Sequence, residues 1–505
     1  MRRAFVPTVA AILWISVLGA IAATDFATKM VSRDGDTALH VSLGERTIDR
    51  RGLLPVEPTA LVSGDRPFVQ YEWLSQVLWG AAHRALGMAG PVVVSAVVVA
   101  SAFFLLLSWT RARGASPWPA ILPILAAAIV AQNHLAARPH LFTWLLGLAW
   151  WLRLADLREG RLSAPRWIVG GIPLVVLWTN LHGGFLLAFI LIGVEIAATI
   201  LRAAVLEPGA RRPALARAGA LLAGLAAFVL ASGINPYGFG LHRHLLGFLA
   251  NPYLTQASDE WMSPDFHLPV DRVYLAFALG TFALLVAGSR RPPPGEVLGL
   301  LAVFAMSLVS GRNEVLFALF AAPVAARRLE DLLTEQAARP TWAGGASRAV
   351  LASSGRVALA ERGAGGWALA LAALAGLVAW DRPVPFDPDT MPVEAARWVR
   401  DHPDRLHGEM FNVFAWGGYL AYEIPDRKVY IHGLLDHYGE SGHREFHGVL
   451  AVAPGWEAVL ERRGVGWAIL RPAAPLARAL EREKGWEVVY RDDRAIVLAE
   501  RPSGE

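Results

Sequence analysis

Apolar runs of near-membrane length, joined by turns that carry arginine on alternate sides, constrain this chain more than any other feature. Eleven runs occupy 4–24, 91–110, 117–137, 141–157, 166–181, 184–203, 217–234, 272–288, 296–310, 314–329 and 366–381. Crossing a hydrocarbon core takes about 20 apolar residues in a helix, which satisfies its own backbone there. Only 18% of the 505 residues are charged and 54% are hydrophobic, against about 25% charged in a soluble domain. The chain reads as mainly α: a polytopic helical membrane protein of about 11 transmembrane helices. Segment 73–87 is apolar but short and holds His83 and Arg84. It reads as an interfacial or re-entrant helix.

Basic residues collect on the cytoplasmic side of membrane proteins. With Arg2 and Arg3 inside, alternation puts Arg111 and Arg113, Arg158 and Arg161, Arg202 to Arg217, Arg290 and Arg291, and Arg327 and Arg328 inside as well. Counting 73–87 as a span would put these arginines outside. The same threading explains the net charge of +4 without nucleic acid. Loop 25–72 lies outside yet carries Lys29, Arg33, Arg46, Arg50, Arg51 and Arg66. That exception suggests an anionic ligand or a folded loop that crosses regardless of charge.

Residues 1–381 therefore form a transmembrane domain, with a first outer loop 25–72, a long outer loop 235–271 and a mobile cytoplasmic linker 330–364. After the Pro/Asp-rich stretch 382–390, composition shifts. Residues 382–505 read as a small extracytoplasmic α/β domain. Strands are expected at 407–413, 428–432, 466–470, 486–491 and 494–499, and helices at 391–402, 416–422, 442–450, 455–463 and 474–483. The expected location is a bacterial inner (plasma) membrane, with the N-terminus cytoplasmic.

Every polar motif with chemical potential falls on the outer side. Asp34-Gly35-Asp36 comes about ten residues after the first span. Two carboxylates there can share a proton-transfer task, or offer hard oxygen ligands to a divalent cation such as Mg or Mn. His40 shares their face if the stretch is helical. Glu72-Trp73 ends the same loop. Arg138-Pro139-His140 offers a guanidinium fork for phosphate and an imidazole. Asn180 and His182 place polar groups in an otherwise apolar stretch, where they cost free energy unless paired. Glu260-Trp261 lies in the long outer loop, and Arg312 in the turn before Glu314. Local readings compete at each position: a solvated turn, an interface anchor, or an Arg312–Glu314 pair. The chain has no cysteine, which excludes thiolate chemistry and disulfides. Nucleotide-binding, zinc-protease and serine-hydrolase signatures are missing too.

With these residues in place, the sequence resembles the GT-C superfamily of membrane glycosyltransferases. That superfamily includes protein O-mannosyltransferases, aminoarabinose transferases and oligosaccharyltransferases. Asp34, Asp36, Thr37, His40 and Gly44, then Pro55, then Glu72-Trp73-Leu74, are similar to a pattern in bacterial members. So are Arg138-Pro139, Trp178 with Asn180, His182 and Gly183, Asn235-Pro236 with Gly238, and Glu260-Trp261. Trp416-Gly417-Gly418-Tyr419-Leu420 resembles their W-G-G-Y-L. His432-Gly433-Leu434 departs from their D-G-R.

The resemblance implies transfer of a sugar from a polyprenyl-phosphate-linked donor to a glycan, lipid or protein acceptor, in contact with membrane lipid. Asp36, Asp34 and Glu72 are the implied catalytic residues. His40, Arg138, His140, Asn180, His182, Glu260, Trp261, Arg312, Trp416 and Tyr419 are the implied substrate-binding residues. Related families differ in metal need, so a cation at Asp34 and Asp36 stays open. The rival readings are a transporter or flippase of lipid-linked sugars, a polysaccharide polymerase or ligase, and a non-catalytic scaffold.

Overall fold

A computed structural model describes residues 7–205, 208–256, 259–361, 365–379 and 383–501. Arg2, Arg3, Arg362 and the expected boundary at 381/382 lie outside the described residues. The first half runs through α1 (Val9–Ala22), α2 (Thr24–Ser32), α3 (Asp36–Arg50), α4 (Trp73–Leu86), α5 (Ala89–Ala112), α6 (Pro117–Gln132), α7 (His140–Arg158), α8 (Ala164–Leu181) and α9 (Leu186–Val205). Next come α10 (Pro208–Ser232), α11 (Gly240–Leu249), α12 (Pro252–Gln256), α13 (Pro269–Ala287), α14 (Pro294–Val309), α15 (Glu314–Ala337), α16 (Trp342–Ala360) and α17 (Trp367–Val378).

Each of the eleven apolar runs falls on a helix, but the count of spans is coarser than that. Among the described residues four helices are long and apolar enough to cross a membrane, α5, α10, α13 and the stretch Gly183–Ala204 that takes in most of α9. Helices α1 and α2, bent by 70°, make a fifth if taken as one broken span. Helices α6, α14 and α17 are apolar but shorter. These are the helices of a multi-pass membrane protein. Their outward faces leave Val286 84% exposed, Val309 72% and Leu230 69%. Aliphatic surface of that kind is covered by lipid rather than water.

Loop 25–72 is helical over nearly half its length. Helix α3 is amphipathic, and its buried face includes Leu39, His40 and Leu43. Glycines let it lie against α4. A Cβ on Gly44 would overlap the Gln76 backbone, and one on Gly80 would come 2.6 Å from Glu45 N. Of segment 330–364, expected to be a mobile linker, residues 330–360 form a helical hairpin of the end of α15 and α16, and 362–364 lie outside the described residues. Its Ala-rich composition favours helix. Thr341 caps Gly344 N (3.1 Å), and the Arg348 guanidinium donates to Ala337 O (2.6 Å).

The C-terminal part continues with α18 (Val393–Asp401), β1 (Glu409–Asn412), α19 (Gly417–Glu423), α20 (Leu435–Leu450), α21 (Trp456–Arg462), β2 (Val465–Leu470), α22 (Pro475–Leu480), β3 (Trp486–Arg491) and β4 (Ile496–Glu500). The sheet order is β1-β2-β4-β3, parallel between β1 and β2 and antiparallel elsewhere. Successive side chains point to opposite faces. Ala468, Leu470, Ile496 and Leu498 join a core with Phe446 and Leu476. Trp467, Ile469, Val497 and Ala499 join the core that runs on through the bundle.

The strand expected at 428–432 does not enter the sheet. The Asn412 side chain takes the place of a neighbouring strand. Its Oδ1 accepts from Tyr430 N (2.7 Å), and its Nδ2 donates to Ile431 O (2.9 Å). The segment pairs with the first outer loop instead, through Leu61 N to Val429 O and Val429 N to Thr59 O, both 2.8 Å. These bonds tie loop 25–72 to the C-terminal part, over one end of the bundle.

Candidate active site

The start of α3, the end of loop 25–72, and the starts of α7, α9 and α15 converge on a cavity of about 440 Å³. Phe248, Glu260 and Trp261 close it on one side, and Phe414, Ala415 and the stretch from Gly433 to Asp436 on another. Ten of the thirteen residues singled out in the sequence line it: Asp34, Asp36, His40, Glu72, Arg138, His140, His182, Glu260, Trp261 and Arg312.

Arg138 organises the acids. Its Nη1 donates to Asp34 Oδ2 (2.8 Å) and also to Glu260 Oε1. Its Nη2 meets Asp36 Oδ2 at 3.0 Å. Asp34 Oδ1 accepts from Asp36 N (3.0 Å), which sets the first turn of α3. Burial pushes the Asp36 carboxyl up to about 7, against the opposing pull of Arg138. Glu260, where the Arg138 charge outweighs burial, is held down at about 2. One guanidinium thus keeps a permanent anion beside an acid poised near neutrality.

Glu72 sits between two imidazoles. His40 Nε2 is 3.7 Å from one carboxyl oxygen and His182 Nε2 is 3.5 Å from the other. Gly184 N donates to His182 Nδ1 (3.0 Å), and Thr143 Oγ1 lies 2.8 Å from the same nitrogen. A neutral His182 therefore carries its proton on Nε2, facing Glu72. Gln76 Nε2 is 3.3 Å from His40 Nδ1, which gives His40 the same tautomer. Burial first, and then the Arg138 charge, holds His40 down at about 3, so it stays neutral. Burial raises Glu72 to about 8.

Arg312 does not pair with Glu314, whose carboxylate lies 3.6 Å from His134. Its guanidinium stacks over the Trp261 ring, 4.6 Å from the centroid. No carboxylate of the described residues lies within ion-pair distance of Arg312 or of Arg33. Both arginines line the polar cavity and also a second one of about 240 Å³, whose walls include Leu186, Leu187, Ile190, Leu245, Leu249 and Leu316. Eight residues are common to the two cavities: Arg33, Tyr71, His140, His182, Phe248, Glu260, Trp261 and Arg312. A charged chamber therefore adjoins an apolar slot, and two guanidinium groups without acid partners stand at the junction.

Three singled-out residues lie elsewhere. Asn180 accepts from Trp73 Nε1 (2.9 Å) and donates to Val176 O (2.8 Å) and Ile234 O (2.9 Å). Its amide is fully used in joining α8 to α4. Leaving such a buried donor unpaired costs about 1–3 kcal/mol, which is reason enough for the residue. Trp416 is buried and donates to Thr390 O (3.0 Å). Tyr419 is buried against Phe386. Their motif works through its glycines. A Cβ on Gly35 would come 2.7 Å from Tyr419 N, and one on Gly418 would overlap Gly35 O. Gly35 N also donates to Ala415 O (3.1 Å). The Trp-Gly-Gly-Tyr turn is thus the seat on which the Asp34–Asp36 turn rests.

Sequence reading missed Arg33, Tyr71, Gly433 and Asp436, all on the chamber wall. Arg33 had a signal, as an unexplained outer-loop cation. Asp436 pairs with His244 (2.8 Å), which joins the long outer loop to α20. Gly433 lies where the sequence departs from the related pattern, yet a Cβ there would overlap the Asp36 carboxylate. Gly433→Ala is therefore expected to displace Asp36 and lower turnover by about 10²-fold. Its overpacking cost is about 1–3 kcal/mol, so the protein should still fold. Turnover and thermal midpoint, measured side by side, check this; an unchanged turnover would show that Asp36 tolerates displacement.

The carboxylates do not assemble a divalent-cation site as they stand. Asp34 and Asp36 both turn to Arg138. Among the described residues, no three His, Asp or Glu converge as ligands.

A helical bundle under a small α/β cap is a fold already known from solved proteins. Three solved structures share it. AglB, an archaeal oligosaccharyltransferase from Archaeoglobus fulgidus in complex with an inhibitory peptide and a dolichol-phosphate, matches with TM-score 0.57 at 14% identity, over 91% of this chain and 69% of that one. ArnT from Cupriavidus metallidurans, bound to undecaprenyl phosphate, matches with TM-score 0.51 at 14% identity, over 97% of this chain and 98% of that one. An Archaeoglobus fulgidus oligosaccharyltransferase tethered to an acceptor peptide matches with TM-score 0.50 at 12% identity, over 90% and 68%. No family model and no curated protein matches the sequence.

Proposed function

We propose that the chain is an integral membrane glycosyltransferase that moves a sugar from a polyprenyl-phosphate-linked donor to an acceptor at the extracytoplasmic face. The observation that carries this is the junction of the charged chamber with the apolar slot. A lipid-linked sugar has the same two-part chemistry. The prenyl tail fits the slot beside Leu186, Leu187 and Ile190, and the sugar fits the chamber. The phosphate falls between them, at Arg33 and Arg312. The shared fold of proteins solved with dolichol-phosphate and undecaprenyl phosphate supports the same reading.

In this mechanism an acceptor hydroxyl or amide attacks the anomeric carbon. The bond between that carbon and the phosphate oxygen breaks, and the polyprenyl phosphate leaves with its electron pair. Arg33 and Arg312 neutralise the charge that gathers on the leaving oxygen. Asp36 takes the acceptor proton. Arg138 orients Asp36, and Asp34 fixes the turn that presents it. The neutral imidazoles of His40 and His182 hold Glu72 at the chamber floor. The eleven-span threading, with chamber and C-terminal domain (residues 382–505) outside and the N-terminus in the cytoplasm of a bacterial cell, completes the proposal.

The test is transfer of labelled sugar from a synthetic prenyl-phosphate donor by the purified protein. If no sugar is released with any donor of this class, while the protein binds the same lipid, the enzyme reading fails. The pH dependence is a second check. A base with its pKa near 7 is active only when deprotonated. With Asp36 at about 7, kcat/KM should fall about tenfold per pH unit below that value and level off above it. A profile flat from pH 5 to 8 would remove Asp36 as the base.

A further inference from the structure

We propose that the end of the bundle away from the chamber holds a site for the phosphodiester headgroup of an anionic phospholipid. Helix α7 starts at the chamber with His140 and ends at Arg158, about 27 Å away at 1.5 Å per residue. There Arg158, Arg202 and Arg217 line a separate cavity of about 280 Å³ between α7, α9, α10 and the start of α14. Among the described residues, the one acid on its wall is Glu195. Arg158 binds one Glu195 oxygen through Nε (3.0 Å) and Nη2 (2.8 Å), and Arg217 meets the other at 3.2 Å.

Three guanidinium groups thus face one carboxylate, a surplus of two positive charges on the cavity wall. Two of these side chains have spare donors. Arg217 Nε is buried without a hydrogen-bond partner. Arg202 makes no ion pair or hydrogen bond among the described residues. A phosphodiester supplies the missing charge, with two oxygens that fit guanidinium donors. The Thr199 hydroxyl lies on the same wall. The flanking surface favours a lipid over a free anion. Leu201 and Leu215, next to this cavity in sequence, are each 57% exposed. Acyl chains of the bound molecule would cover them. A basic cavity between transmembrane helices is a recurring form of lipid-headgroup site.

The test uses the full chain in a neutral detergent, with added phosphatidylglycerol, phosphatidylcholine or inorganic phosphate. Phosphatidylglycerol should raise the thermal midpoint saturably, by roughly 2–4 °C. Phosphatidylcholine should not. Arg202→Gln, an exposed position whose loss leaves the Glu195 pairs intact, should remove at least half of the rise, and Arg202→Lys should keep most of it. Equal shifts from the two lipids, or a full shift in Arg202→Gln, would overturn the site. The same rise from inorganic phosphate alone would overturn the lipid assignment in favour of a free-anion site.

Discussion

Asp36→Asn is expected to abolish sugar transfer while insertion, fold and donor binding persist. The amide is isosteric and can turn its oxygen to Arg138, which keeps Asp34 and Glu260 as partners. What disappears is the only wall carboxylate that meets three conditions together. It lies beside the Arg138 guanidinium, it packs against Gly433, and burial sets it near 7. Loss of a general base lowers kcat by about 10²–10⁴-fold. The donor KM should move by no more than a few-fold, because the phosphate is assigned to Arg33 and Arg312. Asp34→Asn should cost less, since Asp34 shapes the turn. Labelled-sugar transfer with saturating donor decides the matter; wild-type turnover in Asp36→Asn would take Asp36 out of the mechanism.

Arg138→Gln should strike stability and activity together. It leaves Asp34, Asp36 and Glu260 without their common cation. Removing one partner of a buried ion pair costs about 3–5 kcal/mol, and less here because the Glu260 side chain is 38% exposed. The pH dependence identifies the cause. In the variant Asp36, already raised by burial and no longer opposed by Arg138, would stand further above its unfolded pKa. Its contribution to stability is then fully present below the unfolded pKa, about 4, and is lost as pH rises through the raised value. The gap in thermal midpoint between variant and wild type should therefore narrow as pH falls from 7 to 5. In the wild type Glu260 works the other way. Held down at about 2, it contributes stability above its unfolded pKa and loses it only as pH falls through 2. A gap that stays constant with pH would point to lost packing of the Arg138 side chain instead. Turnover should fall by at least about 10²-fold, because Asp36 would then hold its proton at pH 7.

Much of the chamber was legible in the sequence because its residues lie at the ends of apolar runs. Charged groups at such ends are expected to share a layer, so Asp34, Asp36, Glu72, Arg138 and Arg312 could be gathered without coordinates. Asn180 shows where that logic stops. A polar residue inside an apolar run signals that its hydrogen bonds are satisfied, and those bonds can go to a ligand or to the protein. Here they go to Trp73, Val176 and Ile234. Trp416 and Tyr419 are a similar case, their motif serving as the seat for the Asp34–Asp36 turn. Composition also misled in the linker 330–364, where small residues suggested mobility but have the helix propensity to form α16.

Hydropathy is a local property, so the sequence alone determined the features that depend on it. These are helices at each of the eleven apolar runs and short strands and helices in the C-terminal part. Tertiary structure decided which polar groups meet. The packing of Gly433 on Asp36, the sharing of Arg138 among three acids, and the lack of an ion-pair partner for Arg33 and Arg312 among the described residues depend on side chains far apart in the chain. No local pattern encodes them, because the partner of a buried charge is fixed by where the backbone brings it and not by what stands next to it.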